Sequence, residues 1–180
     1  IAVDALGAER VKTVMMPTQY TADISLADAQ EMAGRLGVLH SECSIQVLVD
    51  LYLSKMTSDF AISPELFNTS TMPENIQARI RGTLLMALSN HSGSIVLTTG
   101  NKSEIAVGYC TLYGDMAGGL AVLKDVTKTL VYQLCHYRNQ ISPIIPERIL
   151  QRAPSAEFRP NQTDQDTLPP YEILDAIIEA

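Results

Sequence analysis

The sequence predicts an α/β fold in which helices flank a parallel sheet. Short apolar runs typical of buried strands are followed by helical patterns, in the order strand, helix, strand, helix. One run, SIVLT, has the continuous β-branched character of strands that are covered on both faces. Because ligands of such folds bind at the carboxyl ends of the strands, we expect functional residues directly after these segments.

The first seventy residues alternate strand and helix signals. IAVDALG predicts the end of a helix, and ERVKTVMM predicts a strand that Pro17 stops. Ser25, with Asp28 three residues later, predicts the start of a helix that ends at Gly37. CSIQVLV predicts a second buried strand, and residues 50–71 predict a short helix followed by a mobile loop.

The next segment opens with a clear helix start at Thr71, with Pro73 and Glu74 in its first turn. The helix is predicted to end near residues 90–93. Its buried stripe is predicted to consist of four residues spaced by four: Ile76, Ile80, Leu84 and Leu88.

Three further segments complete the predicted chain. GDMAGGLA predicts a glycine-rich loop, and residues 125–139 predict a helix that turns Val126, Leu130 and Leu134 inward. YEILDAIIEA predicts a short amphipathic helix at the end. The expected architecture is one domain over residues 1–180.

Composition excludes several classes of protein. The 180 residues carry 13 basic and 20 acidic side chains, a net charge of −7, which argues against nucleic acid or an anionic membrane as the main partner. No apolar run approaches the roughly 20 residues that a membrane-spanning helix needs. The three cysteines form no C-x-x-C pair, which argues against a disulfide framework or a zinc site and favours the cytoplasm.

The strongest local motif is TTGNKSE, residues 98–104, at the end of the SIVLT strand. Its hydroxyl and backbone N–H groups suit a phosphate or ribose, and the Glu104 carboxylate at the following helix start suits Mg²⁺. The spacing is not that of a P-loop. A plain strand end and helix cap is the alternative interpretation.

Two further groups of polar residues are candidates for anion binding. Asn75 and Arg79, four apart, share one face of the preceding helix, near its positive end. Lys124 and Lys128 share a face beyond the glycine-rich loop. Solvated helix faces are the alternative for both pairs.

Three strings carry a resemblance to a known family: ENIQARIRG, TTGNKSEIAVGYCTLYGDMAGGLAVLKDVTKT and PSAEFRPNQTDQD. They resemble the synthetase domain of glutamine-dependent NAD synthetase along nearly the whole chain. The resemblance implies the adenine-nucleotide α-hydrolase fold, a Rossmann-like parallel sheet flanked by helices. It also implies a reaction in which ATP activates the nicotinate carboxylate of deamido-NAD as an acyl adenylate, and ammonia then displaces AMP.

The resemblance assigns roles residue by residue. Asn75 and Arg79 would contact deamido-NAD, and Glu104 would lie where deamido-NAD and Mg²⁺ meet. Thr99, Lys128 and Ser155 would contact ATP, with Lys128 beside the phosphates. No catalytic residue is assigned.

The resemblance also predicts what these residues lack. The family's SGGxDS phosphate loop and its C-terminal basic residues are absent, so we expect a fragment that is inactive by itself. Use of glutamine would require a glutaminase domain before residue 1. Deamido-NAD, ATP, ammonia or glutamine, Mg²⁺ and further copies of the chain are the expected partners, without nucleic acid or membrane.

Two alternatives stay open at this point. The first alternative to a NAD synthetase domain is a truncated, non-catalytic nucleotide-binding module, whose intact mass would equal 19.7 kDa. The second is a related amidotransferase of the ATP pyrophosphatase type that acts on another acid. The second alternative predicts a substrate preference other than deamido-NAD.

Overall fold

A computed structural model describes residues 1–180 as a helix-rich α/β protein with parallel strands, which confirms the predicted fold class. The chain forms two compact units, residues 1–44 with 130–167 and residues 45–129 with 168–180. None of its helices is both long and apolar enough to cross a membrane.

The first unit contains one parallel strand pair and its flanking helices. Its elements are α1 (Ala2–Leu6), β1 (Lys12–Met15), α2 (Asp23–Leu36), β2 (Leu39–Glu42), most of α6 (Lys128–Ile141) and α7 (Glu147–Gln151). β1 and β2 pair in register from Lys12 opposite Leu39 to Met15 opposite Glu42. Met15 also lines an apolar cavity of about 190 Å³ between β1 and α2.

The predicted start of α2 is wrong, although its predicted end at Gly37 is confirmed. The helix begins at Asp23, and Gly37 closes it in the left-handed conformation, with φ at 68°. Ser25 lies inside the first turn, where its hydroxyl donates to the Glu157 carboxylate at 2.6 Å. A partner distant in sequence therefore takes the hydroxyl that the pattern assigned to a cap.

The second unit contains the other parallel pair. Its elements are α3 (Gln46–Phe60), α4 (Met72–Ser92), β3 (Leu97–Thr98), α5 (Lys102–Ala106), β4 (Leu120–Ala121), the first two residues of α6, and α8 (Tyr171–Glu179). β3 pairs with β4, so the strand predicted from SIVLT exists but is short. Its buried apolar residues are Ile45, Val49, Ala78, Ile80, Tyr171 and Leu174.

The predicted strand CSIQVLV is wrong, because these residues lead into helix α3. Ile45 and Val49 are buried, whereas Val47 is 78% exposed. Burial of residues four apart is the pattern of a helix, and a strand would have buried alternate residues. The second strand is instead β2, the polar segment LHSE.

The apolar stripes of the two predicted long helices are only partly buried. In α4 Ile80 is buried but Leu88 is exposed, and the predicted end at Gly93 is confirmed. In α6 the prediction that Leu130 and Leu134 point inward is wrong, because both are more than 40% exposed and the helix buries none of its residues.

Candidate functional site

The end of β3 leads directly into a structured cap. Asn101 is the N-cap of α5: its side-chain oxygen accepts the Glu104 N–H at 3.0 Å, and the Glu104 carboxylate accepts the Asn101 N–H at 3.2 Å. This reciprocal capping box fixes the Glu104 carboxylate beside the strand end. Thr99 is exposed just before it. The predicted helix cap is therefore real, and it also orients the residue with the candidate role.

Lys128 and Glu104 form the central ion pair of this site. The Lys128 Nζ donates to Glu104 Oε1 at 2.9 Å, and the two side chains are only 17% and 19% exposed. The ammonium also lies 5.1 Å from the centre of the Tyr171 ring, within the range of a cation–π contact. Lys124, by contrast, is exposed and pairs with its neighbour Asp125 at 3.4 Å. Of the two candidate lysines, only Lys128 belongs to a built site.

Asn75 and Arg79 contact one loop from α4. The Thr111 hydroxyl donates to Asn75 Oδ1 at 2.7 Å, and the Arg79 Nε donates to the Leu112 carbonyl at 3.2 Å. The same loop is closed by Asp115, whose carboxylate accepts the Thr111 N–H at 2.9 and 3.1 Å. The two residues predicted to contact deamido-NAD thus share one face, as their spacing predicts, and that face meets the loop.

Glycines allow this loop to pack against α4. A Cβ at Gly114 would lie 2.8 Å from the Ala78 Cβ, and a Cβ at Gly82 would lie 2.7 Å from the Gly114 carbonyl oxygen. Further along, a Cβ at Gly118 would lie 2.7 Å from Thr98 Cγ2. Close approach of the chain to itself explains these glycines without a ligand.

Negative charge gathers around the loop. Partial burial raises the pKa of Asp115, the charge of Glu104 raises it further, and the Thr111 N–H acts in the opposite direction. Burial, and then the charges of Asp115 and Glu104, also raise the pKa of the Cys110 thiol. Sequence reasoning gave Asp115 no role and did not single out Thr111. The TLYGD string could have indicated both, because it lies within the resemblance.

Ser155 lies in the first unit, within a separate polar cluster. Its Oγ accepts the N–H of Glu157, a residue held in the left-handed conformation with φ at 53°. The Glu157 carboxylate accepts from Ser25 at 2.6 Å and from Arg152 at 2.7 Å. Ser155 thus lies in a turn, and the ion pair between Glu157 and Arg152 holds the residue that follows this turn.

The donor set of the second unit does not form a metal cage. No group of three or more His, Cys, Asp or Glu side chains is arranged to hold a metal ion. Glu104 nevertheless supplies a carboxylate at the strand end, and Mg²⁺ commonly binds through one or two carboxylates together with substrate phosphates. The residues present therefore fit an ion that arrives with a nucleotide.

Comparison with known proteins identifies the family of the chain. The profile of the NAD synthase family matches residues 1–180. The chain belongs to the NAD synthase family. Among curated relatives of this family member, the glutamine-dependent NAD(+) synthetase of Acinetobacter baylyi is 56% identical over 182 residues, which is 100% of this chain and 33% of the relative. That of Aquifex aeolicus is 52% identical over 178 residues, or 99% of this chain and 31% of the relative.

Solved structures give the same fold. The glutamine-dependent NAD+ synthetase of Acinetobacter baumannii, in complex with ADP, matches with a TM-score of 0.79 at 50% identity and covers 99% of this chain and 31% of its own. The NMN synthetase of Francisella tularensis matches with a TM-score of 0.85 at 26% identity, covering 99% and 70%. The fold is thus that of the adenine-nucleotide α-hydrolases. The chain spans about a third of the length of the curated relatives it matches.

Proposed function

We propose that this chain supplies the synthetase chemistry of a glutamine-dependent NAD synthetase: ATP-dependent amidation of deamido-NAD to NAD, with release of AMP and pyrophosphate. The observation that carries the proposal is the Lys128–Glu104 pair at 2.9 Å beside the end of β3. Carboxyl ends of parallel strands are where ligands of this fold bind. The family match over residues 1–180 supports it.

The reaction needs the poorly electrophilic carboxylate to gain a leaving group. A nicotinate carboxylate oxygen attacks the α-phosphorus of ATP, the bond to the β,γ-pyrophosphate breaks, and an acyl adenylate forms. Ammonia then attacks the acyl carbon, AMP leaves with the bridging oxygen, and the nitrogen loses a proton to give the amide. Positive charge beside the phosphates stabilises the charge that develops on the departing pyrophosphate.

Lys128 is suited to the phosphate contact. An ammonium carries three donors, and Glu104 accepts one of them, so the others remain for phosphate oxygens. Thr99, exposed at the strand end, and Ser155 are the other ATP contacts that we propose. Mg²⁺, held by Glu104 and the phosphates, would neutralise the charge of the nucleotide.

Asn75 and Arg79 are proposed to bind deamido-NAD. Both already position the loop that begins at Thr111, so a ligand bound against this face of α4 would contact a fixed surface. The Arg79 guanidinium has five N–H donors and uses Nε on Leu112, which leaves donors for an anionic oxygen.

The ammonia is proposed to come from glutamine, through a glutaminase domain in the remainder of the polypeptide. The relatives named as glutamine-dependent synthetases, of which this chain matches about a third, support this proposal. We also propose a cytoplasmic location, supported by the three free cysteines, and a homo-oligomer, supported by exposed apolar side chains on α3 such as Val47 and Leu51.

The test uses the complete polypeptide with ATP, Mg²⁺, deamido-NAD and either glutamine or ammonium chloride. NAD and AMP are measured by liquid chromatography and mass spectrometry, with deamido-NAD compared against its mononucleotide counterpart. We expect equal amounts of NAD and AMP from deamido-NAD. Absence of AMP would contradict the proposal, and preference for the mononucleotide would assign the chain to another acid.

A matched pair of variants links the activity to the site. Lys128→Met removes the ammonium paired with Glu104, whereas Lys124→Met removes an exposed lysine four residues earlier. We expect Lys128→Met to raise the KM for ATP about tenfold or more and Lys124→Met to change it less than about twofold. Equal effects would remove the special role of Lys128.

A further inference from the structure

A buried carboxylate on α8 joins the start of α5 to the start of α6, next to the pair of Lys128 and Glu104. Asp175 is 3% exposed and carries none of the roles assigned above. Its Oδ1 accepts the hydroxyl of Ser103, and its Oδ2 accepts the backbone N–H of Thr129 at 2.8 Å. Ser103, which is fully buried, immediately precedes Glu104 in α5.

The same network fixes Lys128. The Ser103 Oγ accepts the backbone N–H of Lys128 at 2.8 Å. The first two N–H groups of α6 are therefore bound by Ser103 and Asp175, so they are not available to a phosphate. A nucleotide phosphate at this end of α6 would depend on the Lys128 side chain instead.

The charges favour an ionised Asp175. Burial alone would raise the pKa of this carboxyl, but hydrogen bonds from Ser103 and Thr129, followed by the charge of Lys128, bring it below its ordinary value. The nearby Glu179 accepts from Thr127 at 3.4 Å, and Glu104 pairs with Lys128. An anion at the start of α6 also interacts favourably with the helix dipole.

We propose that Asp175 is a positioning residue for the amidation reaction: through Ser103 and the start of α6 it holds Lys128 against Glu104. The inference rests on the proposed function, in which Lys128 contacts the phosphates of ATP. The hydrogen bonds of Asp175 go to Ser103 and Thr129, the chain neighbours of Glu104 and Lys128, and Ser103 in turn binds the Lys128 N–H. Its effect on ATP should therefore pass through Lys128.

The first experiment measures steady-state kinetics of the complete polypeptide. Asp175→Asn removes the charge and keeps the size, and we expect the KM for ATP to rise about tenfold while the KM for deamido-NAD stays within about twofold. The matched control is Asp28→Asn, because Asp28 is equally buried in the other unit and pairs with Arg148 at 2.5 Å. We expect this control to leave both KM values within about twofold.

A double-mutant cycle separates positioning from general destabilisation. In a Lys128→Met background, Asp175→Asn should change the KM for ATP by less than about twofold, since the residue it positions is gone. A second full rise of about tenfold would overturn the proposal, because independent effects multiply. Ser103→Ala, which keeps the Asp175 charge, should give a smaller rise with the same non-additivity, and it carries the test if Asp175→Asn does not fold.

Binding of ADP, measured by calorimetry, keeps the two proposals apart. We expect the Kd of ADP to rise about tenfold in Asp175→Asn and to follow the same cycle. An unchanged Kd overturns the positioning role even if the parent makes NAD. If the Kd values of ADP follow the expected double-mutant cycle but the parent forms no AMP from deamido-NAD, the proposed function is contradicted and the positioning role of Asp175 is not.

Discussion

The same glycine-to-alanine change in two helices should have different effects on stability. A Cβ at Gly82, in α4, would lie 2.7 Å from the Gly114 carbonyl oxygen and 3.1 Å from the Ala117 Cβ, whereas a Cβ at Gly34, in α2, meets no atom within 4 Å. Either glycine-to-alanine change gains about 0.8–1 kcal/mol of helix propensity. The difference in free energy of unfolding between the two variants therefore measures the cost of the steric overlap at Gly82.

The overlap sets the magnitude. To reach an ordinary contact distance of 3.4 Å the loop at Gly114 must retreat by about 0.7 Å, and overpacking of this kind costs about 1–3 kcal/mol. Gly34→Ala should raise the free energy of unfolding by about 1 kcal/mol. The free energy of unfolding of Gly82→Ala should be about 1–3 kcal/mol lower than that of Gly34→Ala. For a cooperative unit of roughly 150–250 residues, 1 kcal/mol corresponds to about 2–4 °C, so the transition that unfolds this part of the polypeptide should differ by about 2–12 °C between the two variants.

Thermal unfolding of the complete polypeptide, followed by calorimetry, measures this difference. Gly82→Ala should also raise the KM for deamido-NAD, because the displaced loop carries Thr111, the partner of Asn75. Gly34→Ala, in the other unit, should leave that KM unchanged. Equal melting temperatures for the two variants would refute the close packing of the loop on α4.

Three further predictions concern Arg79, Asp175 and Cys110. Arg79→Ala should raise the KM for deamido-NAD about tenfold and leave that for ATP within about twofold, since it removes a guanidinium at the loop; equal changes in both would contradict the assignment. Because the pKa of Asp175 is lowered, its contribution to stability is complete above about pH 4 and is lost as the pH falls through the folded-state pKa. The melting temperature should therefore fall less steeply with decreasing pH in Asp175→Asn than in the parent. Iodoacetamide should alkylate Cys110, whose pKa is raised, more slowly than the exposed Cys43 at pH 8, as peptide mass spectrometry would show; equal rates would contradict it.

Short apolar runs limited what the sequence could predict of the fold. CSIQVLV has the composition of a buried strand, and only its continuation to Phe60 reveals a helix, because strands rarely exceed eight residues. β2, with the sequence LHSE, has no apolar run and is defined by its pairing with β1. The two-residue strand β4, hidden in the glycine-rich loop, likewise depends on its partner β3.

The candidate site was predictable where its signals are local. The spacing of Asn75 and Arg79 places them on one face, and the Asn101 to Glu104 cap is readable as a motif. The ion pair of Glu104 with Lys128 joins residues 24 apart, and the bond from Ser103 to Asp175 joins residues 72 apart. No spacing rule links residues at such separations, so these contacts required the structure.

The acyl-adenylate reaction is tested most directly by isotope transfer. Deamido-NAD labelled with heavy oxygen in its nicotinate carboxylate is incubated with the complete polypeptide, ATP, Mg²⁺ and glutamine, and the products are examined by mass spectrometry. If the carboxylate attacks the α-phosphorus, one labelled oxygen leaves with AMP and the pyrophosphate is unlabelled. Label in inorganic phosphate with ADP as the other product, or turnover without AMP, would contradict the account.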